Sequence, residues 1–156
     1  MPTPTAATLY PQATAFHFSV TFGTSAADAD ASFQEVSGIG PEFETEALPE
    51  GGENRYTLQV PKAVRHPRLV LKRGIAPFDS RLVTWCKAVL EGGLARPLYP
   101  KMLNVFLLDP DGRPLRNWNI QNAWPVKWEI EAFNSTRNEV AVEKIELVYA
   151  MSTREV

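Results

Sequence analysis

Residues 16–22 read Phe16-His17-Phe18-Ser19-Val20-Thr21-Phe22, with a large apolar side chain at every second position. Only an extended strand gathers all four on one side; on a helix they would scatter around the axis. A chain that opens this way must bury one face of a sheet. The same period returns at Tyr56, Leu58 and Val60, and again at Ala141, Ile145, Leu147 and Tyr149. Thirteen prolines and nine glycines cut the 156 residues into short elements, against a helix bundle and in favour of many strands joined by turns.

Taken in order, residues 1–14 are rich in Pro, Thr and Ala and are expected to form a flexible arm, with 15–156 a single domain. After the first strand, Gly23 to Ala31 reads as a polar loop, and Phe33 to Pro41 as a strand broken by a turn. From Glu42 the alternation resumes, with Glu42, Glu44 and Glu46 on one face and Phe43, Thr45 and Ala47 on the other. Tyr56 to Val60 is a strand that Pro61 is expected to stop, and Arg68 to Arg73 one that ends at Gly74. A helix follows, capped by Asp79 or Ser80, with Leu82, Trp85, Cys86 and Val89 at helical spacing and Gly92-Gly93 as its end. Met102 to Leu108 and Leu115 to Ile120 form a hairpin about Asp109-Pro110-Asp111-Gly112, and Trp124 to Ala132 a further strand. The last strand runs from Glu139 to Met151, with Glu143 the departure from its inward apolar series. About seven or eight strands and one helix give a mainly β fold, an antiparallel barrel or sandwich with one flanking α-helix.

Charge is segregated within this pattern. Phe33 to Asn54 carries Glu35, Glu42, Glu44, Glu46, Glu50 and Glu53 and no Lys or Arg. Arg55 to Gly74 carries Arg55, Lys62, Arg65, Arg68, Lys72 and Arg73 and no acid. Between the two lies the loop Leu48-Pro49-Glu50-Gly51-Gly52-Glu53-Asn54, whose glycines admit backbone angles closed to other residues. Three glutamates on one strand face cannot enter an apolar core unpaired. They form a solvated face, or line a channel, or meet the basic stretch Arg68 to Arg73 of the same or a neighbouring subunit, a surface suited to meeting another copy of the chain.

Several function classes find no support. The net charge of −2 gives no basic surface for nucleic acid. His17 and His66 are the only histidines, so a three-histidine metal site is impossible. Cys86 is the only cysteine, which rules out an intramolecular disulfide and fits a reducing cytosol; its place on the apolar helix face marks it as a buried thiol. Asp109 to Gly112 resembles the start of a calcium loop, but position twelve would be Ile120 where a bidentate Glu is needed, so a hairpin turn is expected. No dinucleotide fingerprint, nucleophile elbow or phosphate loop occurs, and neither an enzyme nor a cofactor is expected. The opening residues lack the charge and apolar run of a secretory signal, and no stretch approaches the roughly 20 apolar residues of a membrane span. Trp118, Trp124 and Trp128 could form a sugar-binding platform, which makes a monomeric carbohydrate-binding barrel the alternative; core packing is the commoner use of such residues.

Phe16 to Val20, Phe33-Gln-Glu-Val36-Ser-Gly38-Ile39, Glu50-Gly51-Gly52-Glu53-Asn54, Leu69-Val-Leu71-Lys72-Arg73-Gly74, the helix around Trp85, Ala123-Trp124-Pro125-Val126-Lys127-Trp128-Glu129 and Asn138 to Leu147 follow one another over about residues 15 to 151. In that order they resemble the tail tube proteins of contractile phages. The Gly-Gly-Glu-Asn form is most similar to tube subunits of extracellular contractile injection systems. The resemblance implies a small antiparallel barrel that closes into hexameric rings, the rings stacking into a hollow tube inside a sheath, with baseplate and tube-cap proteins at the ends and protein cargo in the lumen. It implies assembly in the bacterial cytoplasm and then a place in a phage tail or released particle. It also implies that Pro49, Glu50, Gly51, Gly52, Glu53 and Asn54 touch the next ring, and that Glu42, Glu44, Glu46, Arg68, Lys72 and Arg73 lie at a subunit interface or the lumen. The Pro/Thr-rich arm and the basic segment between Pro61 and Pro67 depart from the family pattern, leaving open the bulk tube subunit and the ring next to the baseplate.

Overall fold

The computed structural model describes residues 16–23, 29–49, 52, 57–74, 80–131 and 141–155. In chain order its elements are β1 (His17–Phe22), β2 (Ala29–Phe33), β3 (Glu35–Ser37), β4 (Glu42–Leu48), β5 (Leu58–Arg65), β6 (Leu69–Gly74), α1 (Arg81–Gly92), a 3-10 turn (Gly93–Ala95), β7 (Lys101–Leu108), β8 (Pro114–Glu131), β9 (Val142–Val148) and β10 (Met151–Arg154). The expected mainly β antiparallel architecture with one flanking helix is the one observed.

Eight strands form one sheet in the order β2-β1-β7-β8-β9-β6-β3, with β10 also on β8; β4 and β5 form a separate two-stranded ribbon. The sheet curls because two runs of chain serve two neighbours each. β8 is 18 residues long and pairs with β7 through its first half and with β9 through its second. At the sheet's ends, β2 pairs with β1 while β3, one residue further on, pairs with β6, and Gln34 N–H donates to Lys72 O at 2.9 Å between them. A single run, 29–37, thereby joins the two ends of the sheet and makes it barrel-like. Val20, Phe33, Leu69, Leu71, Leu103, Val105, Ile120, Ile145 and Leu147 fill the interior. Each such side chain contributes about 1.5–3 kcal/mol by leaving water.

Helix α1 is set against this core by its own sequence. Ser80 is the N-cap, its hydroxyl accepting from Val83 N–H at 3.3 Å, and Gly93 at φ 56° ends the helix. Leu82, Trp85 and Cys86 are buried, and the Trp85 ring meets Phe22 edge-on at 5.4 Å between centroids. Asp79 lies outside the described residues.

Four expectations are corrected. The stretch Gly23 to Ala31 is not all loop: β2 begins at Ala29, where backbone pairing with β1 overrides the polar, small-residue composition. Pro61 does not stop a strand: β5 passes through it, because the ladder slips by one residue between Glu44 and Thr45, and a bulge tolerates a residue without an N–H. The two strands expected at Leu115–Ile120 and from Trp124 are one strand, β8, kinked at Asn122 (φ 55°) and shifted in register after Pro125. The single closing strand is two, β9 and β10, which bend at Tyr149-Ala150 to follow the two halves of β8. Tyr56, Ala132, Glu139 and Val140 lie outside the described residues.

Candidate assembly surfaces

Among the described strands, the β4–β5 ribbon lies outside the main sheet and is left largely uncovered. Every ribbon residue is exposed except the half-buried Glu44 and Val60. Phe43 is 65% and Val64 56% exposed, and they sit directly opposite one another. Opposed residues share a face, and alternation adds Thr45, Ala47 and Pro61, so one face of the ribbon is largely apolar. The other carries the acids. Arg65 Nε donates to Glu42 at 2.6 Å and its Nη1 lies 3.6 Å from Glu44, whereas Glu46 has no ion-pair partner among the described residues. The acidic strand thus pairs with the nearer part of the basic stretch, through β5, and not with β6. At the far end Leu48 opposes Leu58, both about half exposed. Of the expected inter-ring loop, Pro49 and Gly52 are exposed, with Gly52 at φ 97°. Glu50, Gly51, Glu53 and Asn54 lie outside the described residues.

The base of the ribbon is held by one side chain. The Tyr149 hydroxyl donates to Gly38 O at 2.6 Å and accepts from Gly40 N–H at 3.1 Å, and His66, just past the end of β5, places its ring 5.1 Å from the Tyr149 ring. Gly38 has φ 84°, and a Cβ built there would lie 1.8 Å from Arg68 O. No other residue fits that close passage.

The basic residues of β6, and Arg68 just before it, separate by parity along the chain. Arg68 and Lys72 point outward: Arg68 Nη1 bonds Glu146 at 3.1 Å, and Lys72 Nζ lies 3.6 Å from Glu131. They belong to a charge ladder in which Lys144 Nζ approaches Glu131 (3.4 Å), Glu146 (3.6 Å) and Glu129 (3.9 Å). Burial alone would lower the Lys144 pKa, but the hydrogen bond and charge of Glu131, with Glu146 and Glu129, outweigh it and hold the pKa above the ordinary lysine value. Burial would raise that of Glu146, but the Arg68 hydrogen bond and the charges of Lys144 and Lys127 hold it below the usual carboxylate value.

Arg73 turns the other way, into the core. It is 3% exposed, and its Nε donates to Glu143 at 2.9 Å, its Nη2 to Ser80 Oγ at 2.8 Å, while its guanidinium stacks over Phe33 at 4.4 Å. Glu143 also accepts from Trp128 Nε1 at 2.7 Å. The inward series of β9 signals this pair: Glu143 falls in step with Ala141, Ile145 and Leu147 and is itself 2% exposed. Its partner is invisible in sequence, since Arg73 lies on another strand.

The remaining candidates have structural roles. Cys86 and Trp85 are buried, and Trp118, Trp124 and Trp128 are half-buried against the core, so no tryptophan forms an exposed platform. Asp109 Oδ1 accepts from Asp111 and Arg113 N–H at 2.9 and 2.8 Å, which makes the loop a self-satisfied turn. His17 is half-buried on β1. Among the described residues no cluster of three or more His, Cys, Asp or Glu could hold a metal, and no helix is long and apolar enough to cross a membrane. An apolar groove of about 420 Å³ opens where the end of α1 and residues 93–101 meet Trp124 to Val126.

Residues 14–153 match the family of the T4-like virus tail tube protein gp19. A chain of the anti-feeding prophage (AFP) baseplate is 26% identical, with a TM-score of 0.66 over 99% of this chain and 97% of that one. A chain of the sheath-tube complex of an extracellular contractile injection system, PVC, is 23% identical, with a TM-score of 0.65 over 89% and 88%. Hcp1 from Flavobacterium johnsoniae shares the fold at 14% identity, with a TM-score of 0.53 over 88% and 94%. No curated protein sequence matches. With a barrel that leaves a paired ribbon standing free and a family match over nearly its whole length, the chain belongs to the T4-like tail tube proteins, structural components of phage tails and phage-tail-like contractile injection systems.

Proposed function

We propose that this chain is the inner-tube subunit of a contractile injection system: six copies close a ring, rings stack into a hollow tube, and the tube carries protein cargo through a target envelope. The observation that carries this reading is the free-standing β4–β5 ribbon, whose apolar pair Phe43–Val64 is left mostly exposed by the described residues of its own barrel. An isolated two-stranded ribbon is marginal in water, and its two open edges invite further contact. A neighbouring copy supplies what the monomer lacks, and a head-to-tail contact of this kind builds rings or filaments. The loop Pro49 to Asn54 meets the next ring, and Glu42, Glu44, Glu46, Arg68 and Lys72 face the lumen or an adjacent subunit; Arg73, being internal, is left out of that surface.

The similar chains belong to an AFP baseplate, an AFP tube-terminating cap and a PVC sheath-tube complex, which supports sheath, baseplate and cap proteins as partners. The role is structural and needs no catalytic group or cofactor. Assembly takes place in the bacterial cytoplasm, and the tube then leaves as part of the particle. No exposed tryptophan favours the carbohydrate-binding alternative.

Negative-stain electron microscopy with mass photometry of the purified chain tests the reading. Six-fold rings or tubes are expected. Rings that never stack would assign the chain to the ring beside the baseplate, and a monomer at every concentration would overturn self-assembly.

A further inference from the structure

We infer that the far half of the β4–β5 ribbon of one copy seats in the apolar groove at the end of α1 of a second copy. This rests on the assembly reading above. The two surfaces match in chemistry. On the ribbon, the directly opposed pairs Glu46–Val60 and Leu48–Leu58 follow one another two residues apart, so Glu46, Val60, Leu48 and Leu58 share one face. That face offers three aliphatic side chains and one carboxylate without an ion-pair partner among the described residues. The groove has apolar walls, and among the described residues its only charged lining residues are the cations Arg96 and Lys101. Its rim is unusually open for apolar residues: Leu94 is 94% exposed and Tyr99 72%.

The occupant is a second copy because the ribbon does not line its own groove. Seven paired residues at about 3.3 Å each carry the end of β4 about 20 Å from its start, away from the base that Tyr149 fastens. Among the described residues, no groove-lining residue comes from the ribbon. A carboxylate brought beside Arg96 or Lys101 at the edge of an apolar contact gains a charge-assisted contact whose attraction is stronger there than in bulk water, and the leucine pair fills volume that water occupies at a cost. The contact joins two different surfaces of the same chain, so it propagates from copy to copy.

Cysteine pairing reads the contact directly. Chains carrying Leu48→Cys are mixed with chains carrying Leu94→Cys and oxidised; both positions are exposed, so the subunits fold, and native Cys86 is buried. A disulfide-linked dimer of the two variants is expected, and a ladder of higher species when both changes sit in one chain. In parallel, Leu48→Asp should raise the concentration for half-assembly about tenfold or more, the scale of one lost leucine contact. Glu46→Lys should weaken assembly likewise, and Arg96→Glu in the same chain should restore it if Arg96 is the partner; Lys101→Glu is the second rescue variant. Normal particles from Leu48→Asp chains together with no mixed dimer would overturn the proposal while leaving tube assembly intact. Wild-type chains that never associate would overturn the assembly reading and this contact together.

Discussion

The buried Arg73–Glu143 pair is the place where one substitution should tell most about how this barrel is held. The pair ties β6 to β9, and through Ser80 and Trp128 it reaches the helix cap and β8. Glu143→Ala removes a buried carboxylate that pairs with a guanidinium itself 3% exposed, and takes the acceptor from Trp128 Nε1. Breaking a buried pair on one side costs about 3–5 kcal/mol, because the remaining charge stays desolvated. That is a large part of the roughly 5–15 kcal/mol that keeps a domain folded. Removing both charges in Arg73→Met/Glu143→Leu abolishes the penalty at its source, so the double variant should recover at least half of what Glu143→Ala loses, less about 1–3 kcal/mol if Trp128 Nε1 finds no new acceptor. The assay is urea unfolding followed by circular dichroism, below the concentration at which particles form, with the midpoint moving and the slope unchanged. A loss below about 1 kcal/mol for Glu143→Ala, or a double variant whose cost equals the sum of the singles, would refute the argument that the two charges act as one buried unit.

Three further outcomes follow from the same geometry. Gly38→Ala forces a Cβ to within 1.8 Å of Arg68 O and should prevent normal folding, whereas Gly23→Ala, with nothing within 4 Å, should cost only the roughly 1–2 kcal/mol of a positive φ; thermal melts of the two compare them directly. Tyr149→Phe loses the two hydrogen bonds at the ribbon base, about 0.5–1.5 kcal/mol each, and hydrogen exchange should quicken at residues 38–40 while the core strands stay protected; unchanged exchange there would remove Tyr149 as the anchor. The charge ladder makes stability depend on pH at both ends. Glu146 has a lowered pKa, so its contribution is present above the ordinary carboxylate value and is lost as pH falls through the folded value; Lys144 has a raised pKa, so its contribution is present below the ordinary lysine value and lost as pH rises through the folded one. The melting-temperature gap between wild type and Glu146→Gln should therefore be full near neutrality and close on acidification, and high salt should shrink it.

Much of the fold is legible in the residues because its cause is local. The period of two in β1 and β9, the Ser80 cap, the Gly93 stop and the Asp109 turn are each set by a few neighbouring side chains. Strand boundaries are less local. Pro61 and Asn122 look like breaks, yet each sits in a ladder that bends to accommodate it, a bulge in β5 and a kink in β8. Their neighbours on the partner strands decide the outcome, and sequence spacing does not name those partners.

By itself, the sequence determined that this chain forms a mainly antiparallel β domain with one helix, that an acidic run and a basic run flank a glycine loop, and that its pattern is that of a tail tube protein. Only the tertiary structure decided which charges are surface and which are core. Arg68, Lys72 and Arg73 look alike in a row, but strand parity and pairing send the first two outward into a solvated ladder and the third inward to Glu143, 70 residues away. It also decided that β4 and β5 leave the barrel together, since β3 and β6 pair with each other at the ribbon's base and leave the ribbon no sheet of its own to join. A charge pattern follows from the order of residues; whether a charge meets water, a partner strand or another copy follows from register and closure.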